Sequence, residues 1–172
     1  MKLIGITGPE STGKSLLAGY LAAHFRAPLI GEYAREYMDK LDRPYTQEDV
    51  AAIGREQYKR ITEASGHHHE WVIADTELLV ISIWLEFKYG IQHPEVESMV
   101  KTQPVDFYLL CDIDLPWEED PLRENPNERQ QLFDLYRQRL DYLKFPYKIV
   151  RGIGSQRFIN ALNILYDPRL SL

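Results

Sequence analysis

Gly8, Gly13, Lys14 and Ser15 stand in the octapeptide GPESTGKS, which fits the pattern G-x-x-x-x-G-K-[ST] at every specified position. Two glycines at this distance permit a backbone turn closed to residues that carry a Cβ. The N–H groups of such a turn converge on an anion at a helix N-terminus, where the dipole also favours negative charge. The expected triphosphate cradle is Gly8, Pro9, Glu10, Ser11, Thr12 and Gly13, continued by Lys14, Ser15 and Leu16. In it, Lys14 reaches the β- and γ-phosphates of ATP and the Ser15 hydroxyl ligates Mg²⁺. The plainer alternative is a Gly-Pro turn before a Ser-capped helix. Glycine is roughly 7% of average sequence, so a chance match in the chain is on the order of one in a hundred. Glu10 is an acid beside a polyanion, so its side chain is expected to turn away, toward the acceptor side or a lid arginine.

Other groups fit the same chemistry. Asp75 closes the apolar run WVIAD, and an acid at the end of such a strand holds Mg²⁺ beside a phosphate loop. Strand-end aspartates also cap helices, so Asp75 gains its weight from GPESTGKS. Glu32 ends APLIGE, at the sheet edge where ligands bind in open α/β folds. It can accept from ribose hydroxyls or simply favour a helix N-terminus. Asp75 and Glu32 both qualify to take a proton from an acceptor hydroxyl, and the sequence does not separate them. Phosphoryl transfer also needs positive charge near the transition state and exclusion of water. Arg123, and Arg129 just after it, are candidates to supply these from a mobile lid at about 114–128. Asp120 and Glu124 are their expected partners in the open state. Arginines solvating an acidic loop are the bland alternative.

These groups must be positioned by strands alternating with helices. KLIGIT reads as a buried parallel strand, and Leu17, Leu21 and Phe25 then fall four apart on a helix. After APLIGE come helical stretches at about 33–41 and 46–65, the second opened by a Thr46–Asp49 capping box. WVIAD, DFYLLCD and PYKIV are further strands, with helices at about 77–88, 128–143 and 155–166. The expected fold is α/β with a mostly parallel sheet, as one domain over residues 1–172.

Composition narrows the function. A chain of 172 residues with net charge −6 has no basic excess for broad nucleic-acid binding. A lone cysteine, Cys111, forms no intrachain disulfide and reads as a small core residue. No signal-peptide pattern precedes KLIGIT and no run is long enough for a membrane span, so a cytoplasmic setting is expected. His67, His68 and His69 have no second ligand cluster at metal-binding spacing and read as a solvated loop.

Four blocks in order, GPESTGKS, EYAREY at 32–37, DTELLVISIWLE at 75–86 and LLCDIDLPWEEDPLREN at 109–125, resemble the ribosylnicotinamide kinase domain of NadR-type proteins over nearly the whole chain. The resemblance implies an adenylate-kinase-like, three-layer phosphate-loop fold with strand order 2-3-1-4-5. It further implies transfer of the ATP γ-phosphate to the 5′-hydroxyl of nicotinamide riboside. Full-length members also carry an adenylyltransferase domain, often after a helix-turn-helix. This chain has no H-x-G-H signature, so neither adenylyl transfer nor repression is carried over. Two positions depart from the family blocks: Glu77 replaces a usual aspartate, and Gly31 stands where an aromatic residue can occur.

On the acceptor side, Tyr33 and Tyr58 offer flat surfaces for a ring, though packing is the ordinary role of tyrosine. Arg35 can orient Glu32 or meet a phosphate. Glu36 reads as half of an exposed ion pair. Trp84 matches the family block and equally suits the core. Gly152, in VRGIGS, can meet adenine through its backbone or simply turn the chain. A kinase of another nucleoside or small metabolite, and an ATP-hydrolysing switch, are the alternative functions.

Overall fold

The computed structural model describes residues 1–66 and 69–170. His67 and His68, and with them most of the histidine loop, lie outside the described residues. The strands are β1 (Lys2–Thr7), β2 (Leu29–Ile30), β3 (Trp71–Asp75), β4 (Phe107–Cys111) and β5 (Tyr147–Val150). They form one sheet in the order β2-β3-β1-β4-β5, every pairing parallel, as the family resemblance implies. Helix α1 (Lys14–Phe25) follows β1, and α2 (Tyr33–Met38) and α3 (Gln47–Ser65) follow β2. Next come α4 (Leu78–Tyr89), α5 (Pro94–Thr102), α6 (Arg129–Leu143) and α7 (Ser155–Leu165).

The apolar runs are buried on both faces because successive side chains alternate between two layers. Ile4 and Ile6 of β1, Ile73 of β3 and Leu109 of β4 pack with Leu17 and Leu21 of α1 and Ala161 of α7. Leu3, Val72 and Ala74 point the other way, against α3, α4 and α5. Tyr108 and Leu110 join α4 and α6 on that face.

Thr46 caps α3 as expected, and the box is reciprocal: Asp49 N–H meets Thr46 Oγ1, and Asp49 Oδ2 accepts from Thr46 N–H at 2.7 Å. Asp49 also holds Arg43 through both oxygens, at 2.7 and 2.8 Å, and accepts from Tyr37 at 2.7 Å. The shorter acid is therefore shared with the incoming loop. Two elements differ from expectation. Helix α2 ends at Met38 rather than near 41, its chain passing into short turns before Pro44. Helix α5 has no counterpart in the sequence reading. Its signals are present: Pro94 in the first turn, acids Glu95 and Glu97, and Val96, Met99 and Val100 buried at helical spacing.

Candidate active site

The phosphate loop leaves β1 at the centre of the sheet, where the ends of β1, β3 and β4 converge. Gly8 has φ +130°, and a Cβ there would stand 2.9 Å from the Cys111 carbonyl oxygen. Gly13 has φ +73°, with Leu115 Cδ1 3.0 Å from its missing Cβ. Gly8 is thus required by conformation and by the backbone in its way, and Gly13 by conformation. Thr12 Oγ1 and Lys14 Nζ each donate to the Pro9 carbonyl at 2.7 Å, which closes the curl with the ammonium inside it.

Arg157 of α7, absent from the sequence reading, secures this loop from behind. Its guanidinium is buried and donates to the carbonyls of Thr12 and Asp112, at 3.0 and 2.9 Å, and of Val150, at 3.0 Å. It also pairs with Asp114 at 2.9 Å. Asp114 in turn accepts from Gly152 N–H at 2.6 Å, so that amide is engaged by protein and Gly152 does not line the cavity described below. No spacing rule links residue 157 to residue 12, which is why sequence reasoning passed over it.

The Lys14 ammonium acts electrostatically on both Asp75 and Glu32. Burial pushes the Asp75 carboxyl above its ordinary value, opposed by the Ser15 hydroxyl and the Lys14 ammonium. Burial likewise pushes Glu32 up, with Lys14 opposing and Asp75 adding to the rise. Glu32 sits at the N-cap of α2 yet makes no side-chain capping bond, which leaves its carboxylate to the cavity it lines. Asp75 Oδ1 is buried without a hydrogen-bond partner in the described structure. One orphaned carboxylate oxygen beside a serine hydroxyl fits a magnesium ion, which keeps several waters and takes few protein ligands.

A cavity of about 820 Å³ opens from the loop. Residues 8–16 line it, and so do Tyr45, Trp84, Phe87, Lys88 and Tyr136. The segment between β4 and α6 forms its roof with Leu115, Pro116, Glu118 and residues 121–125. Arg123 lines the cavity and donates to Ser11 Oγ at 3.4 Å and to the Glu118 carbonyl at 2.6 Å. Glu10 does turn from the curl, but it meets backbone rather than an arginine: Oε2 accepts from Glu124 N–H at 3.0 Å and Asn125 N–H at 2.9 Å.

Several expected partners are different. Asp120 holds Arg35, at 3.1 Å, and Glu124 holds Lys88, at 2.8 Å, and neither carboxylate forms an ion pair with Arg123 or Arg129. Arg129 does not line the cavity; it donates to the carbonyls of Leu115 and Ser11 as a strut beneath the roof. Tyr33 lies outside too, because the first turn of α2 aims it at α3, where the Arg60 guanidinium covers its ring at 4.5 Å. Tyr58 faces α5 and bonds Thr102 Oγ1 at 3.1 Å. Glu77 is fully buried, and its carboxylate accepts from Leu79 N–H at 2.7 Å and Gln103 Nε2 at 2.9 Å, capping α4. Glu36 forms the expected exposed pair with Arg60. Cys111 is buried, its thiol pushed up to about 11, as befits a core residue. Tyr45, Phe87, Lys88 and Tyr136 were missed, since their shared wall exists only after folding.

Comparison with known proteins places this geometry. The family described as AAA domain matches residues 3–157. Over 129 residues the chain is 29% identical to the trifunctional NAD biosynthesis/regulator protein NadR of Salmonella typhimurium, and equally to that of Escherichia coli. The match covers 72% of this chain but spans only 31% of each relative's length. A crystal structure of NadR protein in complex with NR superposes with a TM-score of 0.81 at 20% identity, over 96% of this chain and 50% of that one. Deoxyadenosine kinase from M. mycoides, with products dCMP and a flexible dCDP bound, gives 0.69 at 14% identity, over 95% and 98%. At these identities the likeness to the solved structures is one of fold. Among the described residues no helix is long and apolar enough to cross a membrane.

Proposed function

The chain belongs to the AAA domain family, and on that premise we propose that it transfers the γ-phosphate of ATP to the 5′-hydroxyl of nicotinamide riboside, yielding nicotinamide mononucleotide. The observation that carries this reading is a single cavity lined by both the phosphate loop and an aromatic wall. The similarity to NadR, whose solved relative holds NR, supports the choice of acceptor. The reading is of one kinase domain, in a cytoplasmic setting, with segment 114–128 as its lid.

The loop amides and Lys14 bind and orient the triphosphate, in the curl fixed by Gly8 and Gly13. Ser15 and Asp75 would hold Mg²⁺, which when bound neutralises charge on the phosphates. Arg123, bonded to Ser11 at the rim of the loop, brings positive charge over the transferred group and closes it from water. Glu32 accepts from the ribose hydroxyls. Either Glu32 or Asp75 takes the 5′-hydroxyl proton; both are carboxylates raised by burial, which makes each a stronger base. In a loose transition state positioning outweighs the base.

The test is incubation with ATP, Mg²⁺ and nicotinamide riboside, with products read by mass spectrometry. Nicotinamide mononucleotide and ADP in equal amounts are expected. ADP without a phosphorylated acceptor would instead favour an ATP-hydrolysing switch.

A further inference from the structure

We propose that Tyr45 and Glu124 are positioning residues that tie the lid to the acceptor wall, so that binding ATP sets the geometry of the acceptor site; this rests on the kinase reading above. Tyr45 lies in the α2–α3 loop, 5.1 Å from Trp84 of α4 in an edge-on ring contact. Its hydroxyl donates to Glu124 Oε2 at 2.7 Å and accepts from Trp84 Nε1 at 3.1 Å. Lys88 Nζ donates to the same hydroxyl and to both Glu124 oxygens, at 2.8 Å. One phenol has one proton and two lone pairs, and all three are used. Burial pushes the Tyr45 phenol up to about 12, so the proton it donates stays in place at neutral pH.

The lid reaches the donor end at the same place. The backbone amides of Glu124 and Asn125 converge on Glu10 of the phosphate loop, and Asn125 Nδ2 adds a longer contact at 3.3 Å. Glu124 therefore touches the phosphate loop through its backbone and the acceptor wall through its side chain. If the lid withdraws, Tyr45 loses its acceptor, Lys88 loses its counter-ion, and the edge-on contact to Trp84 loses its anchor. Closure restores all of them together. Two sites that share one movable element are coupled, and the coupling is reciprocal.

The experiment is calorimetric titration of nicotinamide riboside with and without AMP-PNP and Mg²⁺, for the wild type, Glu124→Gln and Tyr45→Phe. Both variants keep the shape of the wall and weaken its link to the lid: Glu124→Gln loses the charge that holds Lys88, and Tyr45→Phe loses the phenol bond while Lys88 still reaches Glu124. The wild type is expected to bind the riboside roughly 5- to 150-fold tighter with AMP-PNP present. In Glu124→Gln that ratio should fall to about twofold or less, and in Tyr45→Phe to a value between that and the wild type, while affinity for AMP-PNP alone changes less than about threefold, a separation that a merely structural defect would not give. A wild-type ratio near one, or a variant that keeps the wild-type ratio, overturns the proposal. If the wild type binds no nicotinamide riboside in either condition, the acceptor reading fails instead. The link is then read from Trp84 emission on adding AMP-PNP, in a Trp71→Phe/Trp117→Phe background. A response that Glu124→Gln abolishes supports it, and an unchanged response or none overturns it.

Discussion

On the proposed reading the donor side of the cavity is a backbone curl, residues 8–16, whereas the acceptor side is assembled from the side chains of Tyr45, Trp84, Lys88 and Tyr136. The first is a local object: its glycines, its lysine and the strand and helix around it lie within one short stretch. The second exists only once the α2–α3 loop, α4, the lid and α6 have been brought together. A site made of backbone tolerates change in most of its side chains, and a site made of converging side chains does not. Substitutions should therefore act all-or-none at the donor end and by degrees at the acceptor end.

The largest effect is expected at the curl. Lys14→Ala should lower turnover by about 10²- to 10³-fold, the loss typical of removing one transition-state donor. Its melting temperature should stay near the wild-type value, because Lys14 contributes only one loop bond; turnover close to wild type would remove the donor-site assignment. Arg157→Met asks whether the curl depends on its strut. It should cost about 3 kcal/mol of stability, the scale for stripping one partner from a buried ion pair, measured by denaturant unfolding. It should also raise the KM for ATP more than that for the acceptor. A variant as stable as wild type would contradict the strut.

At the other end, Trp84→Ala should raise the acceptor KM about tenfold, within the range for one lost ring stack, and leave the KM for ATP unchanged. Equal shifts in both would erase the distinction between the ends. The smallest effect is expected at Asp49, which fixes the loop that carries Tyr45. Arg43 and Tyr37 hold its carboxyl below the ordinary 3.8. A depressed acid stabilises the fold above its unfolded pKa, and that stability is lost as pH falls through the folded pKa. Asp49→Asn should thus melt slightly lower than wild type at neutral pH. The gap should narrow as pH falls below about 4; a gap constant from pH 3 to 7 would contradict it.

The same contrast explains what could be read from the sequence. The strands, the curl and the place of Asp75 were legible because each rests on local pattern: buried runs, glycine spacing, a strand ending in an acid; the sheet order came only with the family resemblance. Helix α5 was legible in principle, from Pro94, its acids and the spacing of Val96, Met99 and Val100, but nine residues gave only a short pattern. Tyr33, Tyr58 and Glu77 carried plausible chemistry in the wrong direction, since only packing decides which way a helix residue faces. Arg157 and Tyr45 were invisible for the converse reason: their partners lie far away in the chain, Thr12 for one and Glu124 for the other.

The proposed phosphorylation of nicotinamide riboside in this cavity is tested most directly by acceptor-dependent ADP release, as kcat/KM, across nicotinamide riboside, adenosine, deoxyadenosine, cytidine and uridine with ATP and Mg²⁺ saturating. The account predicts that nicotinamide riboside exceeds every other acceptor by about 10²-fold or more, the discrimination a site can draw from about 3 kcal/mol of selective contacts. Equal rates across the panel, or a clear preference for another nucleoside, would contradict it.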